Sequence, residues 1–280
     1  MKMTNKVGLI AGGGSFPLIF AKEAQRRGYD VFVAGLRGIT SPELEKYSVK
    51  VSYFKLGQIS EPIKTLKEAG VTNAVMAGNV PHVSIFSNFM PDFLAAKLLL
   101  KLKDKRAETI LGTVAKAFED EGIKIVSSAT FLEHILPGKG VLTRTKPSKA
   151  GLKDLELGWL TAKTLSGLDI GLTVVVGDGA IIAVEAMEGT DECILRAGEI
   201  KKRSAAGKSG LTVVKVARPR QDFRFDLPVI GSVTLESMHK AGADLLAIEA
   251  EKTLVLDMEK LLDEADRHGI SVVALKDGQI

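Results

Sequence analysis

Short apolar runs of strand length alternate with stretches of helical period along most of this chain. Lys6 to Ala11 is an apolar run that ends in Gly12-Gly13-Gly14-Ser15-Phe16-Pro17, and a helical pattern then continues to Arg27. Ser15 suits an N-cap and Pro17 an early helical position, so the pattern predicts a strand, a glycine turn and a helix. Asp30 to Leu36, Val49 to Leu56 and Asn73 to Ala77 read as further strands, with helical stretches near 42–47 and 59–69 between them. Ala107 to Glu121 is helical and leads into a strand at Ile123 to Val126. Strand alternating with helix predicts a parallel, doubly wound sheet whose ligand crevice lies at the carboxyl ends of the strands.

Pro137-Gly138-Lys139-Gly140 and Lys146-Pro147-Ser148 punctuate the middle of the chain. We therefore expect an N-terminal domain over 1–136, a linker over 137–150 and a second, mixed α/β domain over 151–280. Beyond the linker, Leu152 to Leu165 is helical. Leu172 to Glu185 reads as two apolar strands around Gly177-Asp178-Gly179, a strong hairpin signal. A helix begins near Glu192, Gly207 to Gly210 is a basic turn, and Leu211 to Val216 is a strand. The end alternates helices (Thr234 to Gly242, Asp257 to Gly269) with strands (Leu245 to Ile248, Val272 to Leu275).

Composition changes this picture little. The 280 residues are 45% hydrophobic and 26% charged, with a net charge of +4, ordinary for a globular protein long enough for two cores. The mild basic excess comes without the Lys/Arg arm of a nucleic-acid binder, so no nucleic-acid partner is expected; anionic small ligands or an anionic membrane surface suit it better. A lone Cys193 permits no internal disulfide, which fits a reducing compartment. No uncharged apolar stretch reaches spanning length, and Met-Lys-Met-Thr-Asn-Lys runs directly into a strand. A cytoplasmic protein is expected.

Five stretches carry candidate chemistry or contacts. Gly12, Gly13, Gly14 and Ser15 form a turn at a helix N-terminus, where backbone amides can face a nucleotide-type ligand or the turn can serve the chain alone. Pro17 stands where a dinucleotide fingerprint needs its third small residue, and Ala34-Gly35-Leu36-Arg37 offers no ribose-binding acid, which disfavours NAD. Asn79 and Val80 follow the strand ending at Ala77, at the same predicted sheet edge; Asn79 can share the ligand or merely shape its turn. In Glu185-Ala-Met-Glu188-Gly189-Thr190-Asp191, glycine, hydroxyl and acids cluster before a helix; Thr190 or Asp191 can cap it, or the group can hold phosphate or a hydrated metal. From 218 to 231, prolines at 219 and 228 exclude a helix. There Asp222, Arg224 and Asp226 alternate with Phe223, Phe225 and Leu227, so an extended chain would show acid, base and acid on one face, with Lys215 upstream and Gln221 inside. That is a phosphate site or a solvated edge. Between Phe89 and Lys105, leucines and lysines at helical spacing allow contact with an anionic membrane or acyl chains, or core packing with solvated lysines.

His82, His134, His239 and His268 are scattered and form no zinc motif, and neither a nucleophile elbow nor a P-loop occurs. No Asp-x-His stands near the start and Gly78-Asn79 is not followed by His and an acid, so the signature of dimetal phosphoesterases is missing as well. The remaining inventory suits phosphoryl chemistry with a hard divalent metal, which needs few protein ligands when a diphosphate supplies oxygens.

Leu9-Ile-Ala-Gly-Gly-Gly-Ser-Phe-Pro17, Ala77-Gly-Asn-Val80, Glu119-Asp-Glu-Gly122, Gly140-Val-Leu-Thr143, Asp169-Ile-Gly171, Ala183-Val-Glu-Ala-Met-Glu-Gly-Thr-Asp191 and Gln221-Asp-Phe-Arg-Phe-Asp-Leu-Pro228 together resemble the UDP-2,3-diacylglucosamine pyrophosphatases of the LpxI type, enzymes of lipid A biosynthesis. The resemblance spans essentially the whole chain; Leu172 stands where that pattern has Gln. It implies a Rossmann-like N-terminal domain and a distinct C-terminal α/β domain, with a lipid-linked sugar nucleotide held between them. The implied reaction is metal-dependent hydrolysis of the substrate's diphosphate to 2,3-diacylglucosamine 1-phosphate (lipid X) and UMP, with water attacking the β-phosphorus. The family's essential aspartate falls on Asp226. We accordingly expect Asp226, Arg224 and Lys215 to be catalytic. Gly12, Gly13, Gly14, Ser15, Asn79, Val80, Glu188, Gly189, Thr190 and Gln221 are expected to bind substrate. Asp226, Asp222 and Asp191 are expected to hold Mg2+, with Mn2+ as the alternative metal. Peripheral contact with the inner membrane is expected, a homodimer is left open, and a non-enzymatic UDP-lipid carrier is the rival reading.

Overall fold

A computed structural model describes residues 5–80, 89–100, 102, 107–203, 209–219, 222–224 and 227–280. They divide into two compact units: the chain up to Glu133 together with residues 222–224, and the chain from His134 to Pro219 and from Leu227 to Ile280.

In the first unit the chain runs β1 (Asn5–Ala11), α1 (Phe16–Arg26), β2 (Tyr29–Leu36), β3 (Lys50–Phe54), α2 (Ser60–Glu68), β4 (Asn73–Ala77), α3 (Phe93–Leu99), α4 (Ala107–Asp120) and β5 (Lys124–Ile125). The sheet order is β3-β2-β1-β4-β5 and every pairing is parallel. Parallel strands are covered on both faces, so β1 and β4 are nearly uninterrupted apolar sequence. Val7, Leu9, Ala11, Val75 and Ala77 are buried, with Phe20 of α1 and Leu66 of α2 packed over the sheet. Strand order reverses at β1: β2 and β3 lie on one side, β4 and β5 on the other. The crevice of such a sheet opens at the carboxyl ends of the two strands flanking the reversal, which here are β1 and β4.

The second unit comprises β6 (Gly140–Val141), α5 (Lys149–Gly167), β7 (Thr173–Gly177), β8 (Ala180–Val184), α6 (Thr190–Arg203), β9 (Leu211–Lys215), β10 (Val229–Ile230), α7 (Ser232–Ala241), β11 (Ala243–Glu249), β12 (Leu254–Val255), α8 (Met258–Arg267) and β13 (Ser271–Leu275). Its six-stranded sheet has the order β6-β13-β11-β9-β7-β8. β9, β11 and β13 are parallel, whereas β6, β7 and β8 join antiparallel. Side chains alternate between two cores. Val174, Val176, Val214, Leu245 and Val273 meet Leu155 and Ala162 of α5, while Val175, Val213, Leu246 and Val272 meet Ile194 of α6, Leu235 of α7 and Leu261 of α8. The hairpin turns at Asp178 and Gly179 with φ of 52° and 77°, the paired positive values of a type I′ turn. Gly140-Val141, in the stretch read as a connector, pairs with β13.

The fold is thus mixed α/β, with a parallel sheet in one unit and a separate mixed sheet in the other. One local expectation fails. Residues 223 and 224 form a turn rather than extended chain, because the Asp222 carboxylate accepts from the Arg224 amide at 3.0 Å and closes an Asx-type turn.

Candidate functional site

In the N-terminal unit the glycine turn and Asn79 come together as their positions in the sheet require. The Gly12 amide donates to the Ala77 carbonyl at 2.8 Å, the Gly13 amide to the Asn79 carbonyl at 2.7 Å, and the Asn79 amide returns to Gly13 at 3.1 Å. Two amides expected to face a ligand are therefore spent on tying β1 to β4. The approach is possible only without side chains: a Cβ on Gly12 would stand 2.5 Å from the Asn79 carbonyl, and one on Gly78 2.5 Å from the Gly13 carbonyl and 2.8 Å from Pro17 Cγ. Pro17 sits in the first turn of α1 against Gly78, which accounts for its place in the motif. Gly14 and Ser15 are exposed at the helix N-terminus, and the Ser15 hydroxyl makes no capping bond. Asn79 is also exposed and holds its side-chain oxygen over Gly13 and Gly14; Val80 is half-buried beside it. Sequence reasoning missed Thr40, whose buried hydroxyl donates to the Ala11 carbonyl at 2.6 Å and accepts from the Leu36 amide at 2.7 Å, pinning the ends of β1 and β2.

Residues 222–224 belong to this same unit. The Phe223 carbonyl accepts from the Ser128 amide at 2.7 Å, and the Phe223 ring is 37% exposed rather than anchored in the core. The Arg224 guanidinium folds back on Asp222, with Nη2 to Oδ2 at 2.7 Å and Nε to Oδ1 at 3.0 Å, while Nη1 reaches Glu119 at 3.1 Å. Through that contact Arg224 holds the Asp222 carboxyl below the usual carboxylate range, so Asp222 is ionised throughout neutral pH. Asp226 and Gln221 lie outside the described residues.

In the C-terminal unit Lys215 closes β9 and is only 7% exposed. A buried ammonium needs partners, and Lys215 Nζ donates to the Thr190 hydroxyl at 2.5 Å. Thr190 donates in turn to Glu185 Oε1 at 2.9 Å, and the buried Thr173 hydroxyl lies 3.3 Å from Thr190. A hydroxyl has one proton and two lone pairs, so with its proton on Glu185 Thr190 accepts from both Lys215 and Thr173. The network Lys215, Thr190, Glu185 and Thr173 sits at the first turn of α6, at the carboxyl end of β9. Thr173 and the bridge that Thr190 makes between Lys215 and Glu185 were not foreseen; the one signal was a threonine opening an otherwise apolar strand.

Glu188 has another task. Its carboxylate accepts from the Ala186 amide at 3.0 Å and from Arg196 at 2.5 Å. Burial raises its pKa, but these bonds and its own backbone amide outweigh that and hold it low, so Glu188 braces the loop that carries Gly189 at φ 87°. Asp191 Oδ1 is buried without a hydrogen-bond partner, the one acidic oxygen among the described residues in that condition. Burial pushes the Cys193 thiol up to about 12, which leaves it no thiolate to act as nucleophile.

Among the described residues no three His, Cys, Asp or Glu side chains cluster as a metal cage. Mg2+ asks for less: it keeps most of its waters and takes one or two carboxylates beside substrate phosphates. In the C-terminal unit the orphaned Asp191 oxygen is a hard donor of the kind such a cation takes; in the N-terminal unit the Asp222 carboxylate is another, already engaged by Arg224.

Comparison with known proteins bears on both units. A family model described as the LpxI N-terminal domain matches residues 6–135, and one described as the LpxI C-terminal domain matches residues 138–273. A protein of Caulobacter vibrioides named UDP-2,3-diacylglucosamine pyrophosphatase LpxI is 31% identical over 275 residues, covering 96% of this chain and 97% of that protein.

Proposed function

The chain belongs to the LpxI family, and from that premise we propose that it hydrolyses the diphosphate of UDP-2,3-diacylglucosamine, releasing 2,3-diacylglucosamine 1-phosphate and UMP, as an enzyme of lipid A biosynthesis. The observation that carries the reading is identity to a pyrophosphatase of that name along nearly the whole length of both chains. Two features of the fold support it. The exposed turn at Gly14, Ser15 and Asn79 lies at the strand-order reversal of a parallel sheet, the usual place for a nucleotide. Lys215 in one unit and Arg224 in the other are cations held by a hydroxyl and by carboxylates, and cations preorganised in this way are the kind that stabilise charge on phosphoryl oxygens.

In this reading water forms a bond to the β-phosphorus as the bridging oxygen leaves with UMP. Asp226 takes the proton of the attacking water or orients it. Arg224, steadied by Asp222 and Glu119, and Lys215, steadied by Thr190, stabilise the charge that develops on the phosphoryl oxygens. Gly14, Ser15, Asn79 and Val80 hold the nucleotide or sugar on the turn that Gly12 and Gly13 tie down, with Gly189 and Gln221 at the diphosphate. Asp226, Asp222 and Asp191 are the proposed ligands of Mg2+ or Mn2+, which when bound neutralises the diphosphate.

The test is product analysis. Protein incubated with UDP-2,3-diacylglucosamine and Mg2+ should release UMP and the sugar 1-phosphate in equal amounts, and chelation with EDTA should stop release until Mg2+ is restored. Substrate held tightly and recovered intact under both conditions would instead identify a carrier.

A further inference from the structure

The segment around α3 carries large apolar side chains in solvent on a rigid mount. Phe93 is 87% exposed, Leu100 88%, Met90 56% and Phe89 40%. Phe93, Lys97 and Leu100 are spaced i, i+4, i+7, so they form one stripe along the helix. The opposite face is committed: Ala95 is buried, and Leu94 and Leu98 pack into the N-terminal core. The core-packing reading of this stretch holds for that face, while the outer face is apolar and open to solvent.

The mount is specific. Asp92 caps α3 through the Ala95 amide at 2.8 Å, and its second oxygen accepts from the Ile59 and Ser60 amides at 2.8 Å each, at the start of α2. The Met90 amide donates to the Leu56 carbonyl at 2.8 Å and the Asp92 amide to Gly57 at 3.2 Å. Gly57, at φ 100°, has the Met90 carbonyl 2.9 Å from where a Cβ would stand. A soluble surface rarely fixes contiguous apolar groups in water without a partner.

Charge identifies the partner. Lys55 Nζ lies 3.6 Å from Met90 Sδ, and Lys97 stands exposed between Phe93 and Leu100. The only described acid of the segment, Asp92, is turned inward. The sequence continues with Lys101, Lys103, Lys105 and Arg106 against one acid, Asp104, all outside the described residues. Among the described residues no helix is long and apolar enough to cross a bilayer. Aromatic and leucine side chains flanked by lysines are the composition of a surface that lies on anionic lipid, with apolar groups among the acyl chains and ammonium groups at the headgroups. We propose that Phe89, Met90, Phe93 and Leu100, with Lys55 and Lys97, dock this protein on an anionic phospholipid surface. Docking needs no turnover and so stands or falls separately from the hydrolase reading.

The test is cosedimentation with sucrose-loaded vesicles of phosphatidylcholine, with and without about one-third phosphatidylglycerol. Wild type should sediment with the anionic vesicles and be released at about 0.5 M salt. The doubly substituted Phe93→Ser/Leu100→Ser protein should lose about tenfold or more in partition coefficient, and Lys97→Glu several-fold, with melting temperature unchanged because all three side chains point into solvent. Failure of wild type to sediment, equal binding to neutral vesicles, or undiminished binding by the double variant would overturn the proposal. Two other results would overturn it by naming a different occupant: a wild-type dimer that the double variant dissociates would assign the surface to a second copy, and a raised KM for dispersed substrate without any change in vesicle binding would assign it to the substrate's acyl chains.

Discussion

Arg224 is gripped by Asp222 through two nitrogens and by Glu119 through a third, so its charge is oriented before any substrate arrives. Replacing it with alanine should lower kcat by about 10²- to 10³-fold, the usual effect of losing one preorganised charge-stabilising donor. Lysine at this position keeps the charge and loses the fork, so Arg224→Lys should recover only part of the rate; steady-state kinetics of the pair separates charge from geometry. Thr190 bridges a buried lysine to a glutamate. Thr190→Val removes that bridge, and leaving polar partners unsatisfied should cost about 1–3 kcal/mol, read by urea denaturation. The alternation of acids and bases near 222 was visible in the sequence. The Asx turn that folds Arg224 onto Asp222 was not, because a side chain closing on its own backbone leaves no periodic trace.

At the scale of elements, the joint between β1 and β4 and the mount of α3 are where backbone geometry is least forgiving. Gly78 has φ 91° and two atoms within 2.8 Å of where a Cβ would go. Gly78→Ala should therefore destabilise by about 2 kcal/mol or more and loosen nucleotide binding, measurable by thermal melting with and without UMP. Asp92 caps α3 and accepts from the first amides of α2, so Asp92→Ala should cost about 2 kcal/mol. Burial raises the Asp92 pKa, but three backbone amides outweigh it and the carboxyl lies below its ordinary 3.8. A depressed folded pKa gives stability that is complete above the ordinary carboxylate pKa and lost as pH falls through the folded one. The stability gap between wild type and Asp92→Ala should accordingly hold from neutral pH down to about 4 and narrow below it, as denaturation curves across that range would show. The strands and helices themselves were legible, since apolar runs and helical periods are set by burial on one or both faces. The two-stranded pairing of β10 with β12 was not, because two residues are too few to show a period.

For the whole molecule, the alternating pattern gave away a parallel sheet, and the apolar hairpin around Asp178 gave away the departure from it in the second half. The strand order that brings Gly13 to Asn79 follows from where β4 crosses back beside β1, which no local sequence reports. Least legible was the assignment of residues 222–224 to the N-terminal unit although the chain on either side belongs to the other; contacts such as Phe223 to Ser128 span more sequence than any motif. Composition could not place Lys215 and Arg224 in different units, and the resemblance that joins their roles is a matter of motifs rather than distance. Chemistry at Asp226 is the claim on which the functional account turns. Its most direct test is the rate of UMP release from UDP-2,3-diacylglucosamine by Asp226→Ala, compared with wild type at equal Mg2+ and with matching circular dichroism. The account predicts a loss of about 10²-fold or more; a folded variant that turns over at the wild-type rate would contradict it.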